Sequence, residues 1–168
     1  MDSFLFSFFK AVSFFGNEMA LIVLITLISL ILLFSYNKKK LSAFILFNYL
    51  ITIGTVIILK YIIQKPRSLL ALVEEKTYAF PSGHVALATT TFLLLFFIAK
   101  YVKNKFWKIF LEIFAIFWLV STIFARLYLK VHDWPDIVTS IFLAVFIFIL
   151  ALTIPSFKKS FLAKEIKK

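Results

Sequence analysis

The chain has 168 residues, no cysteine and a formal net charge of +11, and hydrophobic residues make up 62% of it. Its mean hydropathy of +1.01 is far above that of a soluble domain and excludes an ordinary water-soluble protein. The absence of cysteine excludes disulfides, thiolate metal sites and a cysteine nucleophile. We therefore expect an integral membrane protein.

The first 18 residues are apolar but too short to cross a bilayer. Polar residues recur there at spacings of three or four, namely Ser3, Ser7, Lys10, Ser13 and Asn17. This spacing places them on one face of a helix, with Phe and Leu around the rest. We predict an amphipathic helix over residues 1–18 that lies in the membrane interface on the extracytoplasmic side. A sixth, short span is the alternative.

Five apolar runs follow, each about 15 to 19 residues long and close to the length that crosses a hydrocarbon core. They are Met19–Phe34, Leu41–Leu59, Val85–Ala99, Phe106–Phe124 and Ile137–Ile154. The sequence therefore predicts an all-α polytopic membrane bundle of five transmembrane helices plus the interfacial helix, or six short spans. We expect a single domain over residues 1–168, with the bundle at 19–154 and a basic cytoplasmic tail at 155–168.

The lysines indicate how the chain threads through the membrane. Basic clusters follow the first span, surround the turn after the third and follow the fifth: Lys38–Lys40, Lys100–Lys108 and Lys158–Lys168. Alternating spans place all three clusters on one side, and basic short loops are usually cytoplasmic. Topology thus accounts for most of the positive charge, and a nucleic-acid partner is not expected.

Both histidines and both arginines fall on the opposite side of the membrane: His84, His132, Arg67 and Arg126. Positive charge on the extracytoplasmic side is contrary to the usual enrichment of basic residues in cytoplasmic loops, so topology does not explain it. Ionisable groups in or near membrane spans are costly and usually functional. We therefore predict a functional site at the extracytoplasmic face.

The cations near the second span suit a phosphoryl group. Lys60 and Arg67 are seven residues apart, two helical turns if the helix continues, so both could reach one site. Arginine offers a bidentate fork and lysine a point charge. The alternative interpretations are an interfacial lysine at Lys60, which is the default for that residue in isolation, and a solvated loop residue at Arg67. Lys65 and Lys76 are interpreted as solvated charges.

Two short stretches supply imidazole groups. Pro81-Ser82-Gly83-His84 lies where the third span begins, and the N-terminus of a helix commonly binds anions. Farther along, Asp136 follows His132 by four residues, the spacing that stacks side chains on one helix face. A carboxylate that holds one imidazole nitrogen leaves the other free to attack or to accept a proton. A purely structural histidine is the alternative at each position.

The chain continues this second stretch with residues that favour a helix start. Pro135 allows His132 to precede the helix, since proline is tolerated in a first turn. Asp133 points off the face shared by His132 and Asp136, and it is expected to cap the helix.

Taken together, these residues form a three-part pattern: Lys60-x6-Arg67, Pro81-Ser82-Gly83-His84 and Arg126-x5-His132-x3-Asp136. The pattern resembles the signature of the type 2 phosphatidic acid phosphatase superfamily, integral membrane lipid phosphatases related to vanadium haloperoxidases. Two positions depart from it. The family commonly has proline where Ser68 stands, and serine where Ala125 stands, and the second change removes a possible hydroxyl ligand.

The resemblance implies a mechanism for these positions. His132 would attack phosphorus to give a phosphohistidine, Asp136 would orient it, and His84 would protonate the leaving lipid oxygen and then activate water. The phosphate oxygens would be held by Lys60, Arg67, Ser82, Gly83 and Arg126. No metal or other cofactor is implied, because these cations supply what magnesium supplies elsewhere. No obligatory protein partner is implied either.

The resemblance also implies where the protein acts and on what. We expect a multi-pass protein of a bacterial inner (plasma) membrane, with its active site facing the periplasm or exterior. The compact size is similar to that of small bacterial members acting on lipid A 1-phosphate, phosphatidylglycerophosphate or undecaprenyl diphosphate, and the first is the favoured substrate. The alternatives are a lipid-to-lipid phosphotransferase, and a polytopic transporter or channel with a one-sided charged vestibule.

Overall fold

The protein is a bundle of α-helices. This computed structural model describes residues 3–34 and 38–159. Its helices are α1 (Ser3–Phe15), α2 (Glu18–Phe34), α3 (Lys39–Ile63), α4 (Gly83–Ala99), α5 (Lys105–Tyr128) and α6 (Trp134–Thr153). The five apolar runs correspond to α2 through α6, so the predicted all-α membrane bundle is confirmed. Of the predicted tail, residues 155–159 form a short helical turn, and 160–168 lie outside the described residues.

The helix lengths match a bilayer. Helices α3, α5 and α6 are long and apolar enough to cross a membrane. The 17 residues of α2 and of α4 give helices about 25 Å long, close to the thickness of a hydrocarbon core. With 13 residues, α1 is only about 20 Å long and packs against α5. Its length favours the interfacial helix over a sixth span.

Helix α3 runs past the predicted end of its apolar run and ends at Ile63, followed by Gln64 in a left-handed conformation with φ of 50°. The helix continues through Lys60 because its ammonium donates to the carbonyl oxygen of Tyr78 at 2.6 Å, which satisfies the charge near the end of the span. Since α3 stops at Ile63, Lys60 and Arg67 do not share a helix. The two-turn relation between them, which required a continuous helix, is therefore wrong.

Helix α4 lies at the centre of the bundle and contacts α3, α5 and α6. The first half of α4, including Val85 and Leu87, is fully buried. Buried alanines such as Ala125 on α5 and Ala144 on α6 allow the neighbouring helices to approach closely, as in other membrane bundles. Thr89, Thr90 and Thr91 each donate to the carbonyl oxygen four residues back, which satisfies their hydroxyls in an apolar interior.

Aromatic packing identifies one end of the bundle. The ring centroid of Phe44, at the start of α3, lies 5.2 Å from those of Phe97, at the end of α4, and Phe157, beyond α6. The lysine-rich connections adjoin these same helix ends. The end of α3, the start of α4, the end of α5 and the start of α6 therefore meet at the opposite end, and this is where the predicted site residues lie.

Candidate active site

The turn between α5 and α6 holds an imidazole and a carboxylate in contact. Asp133 is the N-cap of α6: its side chain accepts from the backbone N–H of Asp136, while Asp136 Oδ2 accepts from the N–H of Asp133, both at 3.3 Å. This reciprocal cap directs Asp136 Oδ2 to Nδ1 of His132 at 3.2 Å. The structure thus places His132 just before the helix and pairs it with Asp136, with Asp133 as the cap.

The other nitrogen of His132 faces a cation. Its Nε2 lies 3.4 Å from Nη1 of Arg67, which also donates to the carbonyl oxygen of Val131 at 3.1 Å. With the Nδ1 proton donated to Asp136, the partners assign the tautomer whose Nε2 carries a lone pair. Burial lowers the pKa of His132 to about 4, because it outweighs the opposing effect of Asp136. The imidazole is therefore neutral at pH 7.

Lys60 and Arg67 are brought together by the loop that joins α3 to α4. Both donate to the carbonyl oxygen of Tyr78, from Lys60 Nζ at 2.6 Å and from Arg67 Nη2 at 3.3 Å. Arg67 Nε donates in addition to the carbonyl oxygen of Thr77 at 2.7 Å. The carbonyl oxygen of Tyr78 therefore holds Lys60 and Arg67 close together, although they do not lie on one continuous helix.

Arg126 is a fully buried cation near the end of α5. It donates from Nη1 to the hydroxyl of Ser13 and from Nη2 to the carboxylate of Glu75. Its Nε is buried and has no hydrogen-bond partner within residues 3–34 and 38–159. A buried arginine donor without an acceptor is costly, and a phosphate oxygen is an acceptor of the required kind.

The Pro-Ser-Gly-His stretch forms the start of α4. Ser82 is the N-cap and accepts from the N–H of Val85 at 3.5 Å, which leaves its own hydroxyl proton for donation. The N–H of Ser82 donates to the carbonyl oxygen of Asp136 at 3.5 Å and ties this stretch to α6. The buried His84 donates from Nε2 to the carbonyl oxygen of Ser13 at 3.2 Å.

Gly83 is held close to a carboxylate. A Cβ atom at this position would overlap the side chain of Glu18, so the Glu18 carboxylate occupies space that any other residue at position 83 would fill. Glu18 therefore lies against the position that was predicted to contact phosphate.

The sequence interpretation missed several residues of this site. Ser13 and Glu18 come from the N-terminal helices, and Glu75 comes from the loop before α4. Ser13 belongs to the polar face of α1, which is the one signal that could have indicated it. No spacing rule connects Glu18 with Gly83, or Glu75 with Arg126, because each pair is far apart along the chain.

Lys65 is not the solvated charge that its loop position suggested. Its ammonium contacts Asp136 Oδ1 at 2.6 Å and Asp133 Oδ2 at 2.7 Å. The reason is the left-handed residue Gln64, after which the chain turns towards the start of α6. Lys76, in contrast, is exposed.

A cavity of about 420 Å³ opens beside these groups. Its walls include His132, Asp136, Lys65, Arg67 and Lys130. This volume lies in the usual range of small-molecule sites. The cavity therefore has room for a phosphorylated headgroup beside His132 and Arg67. The other predicted site residues are not among its lining residues, namely Lys60, Ser82, Gly83, His84 and Arg126.

Comparison with known proteins identifies the family of this chain. Residues 41–160 match the family model described as the PAP2 superfamily. The chain belongs to the PAP2 superfamily. The match contains all three parts of the pattern, whereas Ser13 and Glu18 precede it. This PAP2 protein is therefore a membrane-embedded phosphatase, a hydrolase of phosphoric esters.

A solved structure shares the fold. The chain is similar to the crystal structure of the first transmembrane PAP2 type phosphatidylglycerolphosphate phosphatase from Bacillus subtilis, with 25% sequence identity and a TM-score of 0.78. The similarity covers 90% of this chain and 76% of that one. No curated protein matches this PAP2 protein significantly in sequence.

Proposed function

We propose that this protein dephosphorylates a membrane lipid through a phosphohistidine on His132, without a metal ion. The observation that carries the proposal is the arrangement around that imidazole. Asp136 holds Nδ1 at 3.2 Å, while Nε2 faces the guanidinium of Arg67 at 3.4 Å. If Arg67 binds the phosphate, the Nε2 lone pair of His132 lies next to the bound phosphorus and can attack it.

In the first step, the Nε2 lone pair of His132 forms a bond to phosphorus and the bond to the lipid oxygen breaks. The leaving oxygen takes a proton from His84. Because Nε2 of His84 donates to the carbonyl oxygen of Ser13, the transferred proton would be carried on Nδ1, and the ring would enter this step as an imidazolium and leave it neutral. Lys60, Arg67 and Arg126, with the Ser82 hydroxyl and the Gly83 amide, would stabilise the charge on the equatorial oxygens.

In the second step, water attacks the phosphohistidine while His84 accepts its proton. The bond between phosphorus and Nε2 breaks, its electron pair returns to His132, and inorganic phosphate leaves. Throughout, Asp136 keeps the Nδ1 proton in place and stabilises the positive charge that the ring acquires.

The substrate proposal is a lipid phosphomonoester, with phosphatidylglycerophosphate first. The similar Bacillus subtilis protein is described as a phosphatidylglycerolphosphate phosphatase, and this moves phosphatidylglycerophosphate ahead of lipid A 1-phosphate. Lipid A 1-phosphate and undecaprenyl diphosphate remain predictions from the sequence. A transporter or channel is no longer favoured, because the chain belongs to a family of phosphatases.

The proposed location is the extracytoplasmic face of a bacterial inner membrane. The support comes from charge: the lysine-rich connections adjoin one end of the bundle, and the candidate site lies at the other. Because basic short loops stay in the cytoplasm, the site would face the periplasm or exterior.

Phosphate release by the purified protein tests this proposal. The substrates are phosphatidylglycerophosphate, lipid A, undecaprenyl diphosphate and phosphatidic acid in detergent, with His132→Ala as the blank. We expect release from phosphatidylglycerophosphate to exceed release from the others. Transfer of the phosphoryl group to an added acceptor lipid, with no free phosphate, would favour a phosphotransferase instead.

Chelation is expected to leave the reaction unchanged. The cations that would neutralise phosphate in this site are Lys60, Arg67 and Arg126, and none of them depends on a metal. The measurement is the rate of phosphate release with and without excess EDTA, with rates expected to agree within about twofold. Full loss of activity that magnesium restores would contradict the metal-free mechanism.

We expect kcat/KM to fall only when the pH is lowered to near 4. The form of His132 that attacks is neutral, and burial lowers the pKa of this histidine to about 4. Lowering the pH from 7 to 5 should therefore leave the nucleophile in its reactive form. The measurement is kcat/KM between about pH 3 and pH 8.

The substrate must be titrated separately in the pH experiment, since a phosphomonoester has its own pKa near about 6. Its titration is followed by 31P NMR in the same micelles, and the profile is corrected for it. A residual limb at about pH 6.5, the ordinary pKa of histidine, would mean that His132 titrates like a solvated imidazole and that burial does not lower its pKa.

A further inference from the structure

Lys65 lies at the start of α6, on the far side of Asp136 from His132. Its ammonium donates to Asp136 Oδ1 at 2.6 Å and to Asp133 Oδ1 and Oδ2 at 2.8 and 2.7 Å. A lysine ammonium has three N–H donors. All three have carboxylate partners in this arrangement, so Lys65 keeps no donor for a phosphate oxygen although it lines the cavity beside His132.

Asp136 is a buried carboxylate that needs a cation. Its side chain is 1% exposed, and a buried charge is stable only when it is paired and hydrogen-bonded. His132 cannot provide the positive charge at pH 7, because its imidazole is neutral there. Lys65 can: burial acts to lower its pKa, but the two carboxylates outweigh this and raise it, so the group stays charged.

The two oxygens of Asp136 are divided between two partners. Oδ1 accepts from Lys65, whereas Oδ2 accepts from Nδ1 of His132 and from the backbone N–H of Asp133. Rotation of the carboxylate would break all of these hydrogen bonds at once. Lys65 therefore fixes the orientation of the carboxylate that meets His132.

We propose that Lys65 is a positioning residue for the nucleophile, acting through Asp136 to keep Nε2 of His132 unprotonated and directed at phosphorus. This proposal rests on the proposed function. Without Lys65, the buried Asp136 either takes up a proton or turns away. In both cases the imidazole loses the acceptor that holds the proton on Nδ1, and the tautomer with a protonated Nε2, which cannot attack, becomes accessible.

The test compares Lys65→Met with Lys65→Arg in phosphate release from the best lipid substrate. Loss of a residue that orients a reacting group through a second residue typically lowers activity by about 10–100-fold. We expect Lys65→Met to lower kcat by about that factor with KM changed by less than about threefold, and Lys65→Arg to recover most of the rate. Lys65→Gln, which retains a polar side chain, replaces Lys65→Met if the latter does not fold.

The matched control is Lys76→Met, which removes the same charge from the same loop between α3 and α4. Lys76 is exposed and belongs to no part of the proposed machinery. We expect its kcat to stay within about twofold of the wild type.

A double-mutant cycle separates positioning from direct binding. If Lys65 acts through Asp136, Lys65→Met should change the residual rate of Asp136→Asn by no more than about twofold, measured at high enzyme concentration. The proposal would be overturned if the effects of Lys65→Met and Asp136→Asn on the rate were fully additive. It would also be overturned if Lys65→Met raised KM without lowering kcat, or if it had wild-type kinetics. A wild-type protein that releases no phosphate from any lipid would instead contradict the proposed function.

Discussion

Replacing His132 with alanine is expected to reduce phosphate release from every lipid substrate by at least about 10⁴-fold. The variant lacks the atom that would form the bond to phosphorus. The other imidazole, His84, is held by the carbonyl oxygen of Ser13. Rates are measured in detergent with excess EDTA, over enzyme concentrations that would reveal a trace of wild-type contaminant.

The comparison needs a variant that keeps the fold but not the nucleophile. His132→Gln preserves a polar side chain of similar size near Asp136 and should be as inactive as His132→Ala. Equal elution on gel filtration and equal melting temperatures would show that both remain folded. Activity above about one per cent of the wild type in either variant would contradict the assignment of His132.

Asp136→Asn is expected to lower kcat by about 10³–10⁴-fold with little change in KM, by analogy with the same replacement in serine hydrolases. An amide can donate to Nδ1 of His132 and thereby favour the tautomer with a protonated Nε2. The phosphate ligands are untouched, so substrate binding should persist. The measurement is a full saturation curve with one lipid, from which kcat and KM are obtained separately.

Asp133→Asn is the natural comparison, because it replaces the adjacent carboxylate on the same turn. Asparagine is as good an N-cap as aspartate, so α6 should start in the same place. Asp133 contacts Lys65 but not His132, and we expect a loss of less than about tenfold. If Asp136→Asn acted only through KM, or if both variants behaved alike, the orienting role of Asp136 would be wrong.

The spans were predictable because lipid imposes a strong constraint on sequence. Backbone groups inside a bilayer must bond within their own helix, so each span is a continuous apolar run. Val85–Ala99 and Ile137–Ile154 thus correspond closely to α4 and α6. The end of α3 was harder to predict, because the apolar run stops at Lys60 whereas the helix does not. A distant carbonyl oxygen, that of Tyr78, accounts for the difference.

The three-part pattern located the centre of the site but not its surroundings. His132 and Asp136 are close in sequence, and the helix start between them fixes their geometry. Lys65 meets Asp136 only because the loop turns at Gln64, and loop geometry of this kind leaves no periodic signal. The contact between Ser13 and Arg126 joins residues 113 positions apart, so it depends on the packing of α1 against α5.

Ser13 also bears on the departure at Ala125, where the family commonly has serine. Ala125 is fully buried, and the hydroxyl expected from that position is missing. A hydroxyl nevertheless contacts Arg126, since Ser13 provides one from α1. The other departure, Ser68, accepts from the N–H of Leu70 at 3.1 Å and shapes the loop.

Trapping the phosphoenzyme tests the central claim most directly. A lipid diphosphate with a good leaving group is mixed with His84→Ala, which should form the intermediate but hydrolyse it slowly, and the reaction is stopped in base, where phosphohistidine survives. Peptide mass spectrometry should find one phosphoryl group on His132, absent from the His84→Ala/His132→Ala double variant. Phosphate release by the wild type without any phosphorylated His132, or a phosphoryl group on another residue, would contradict a phosphohistidine at His132.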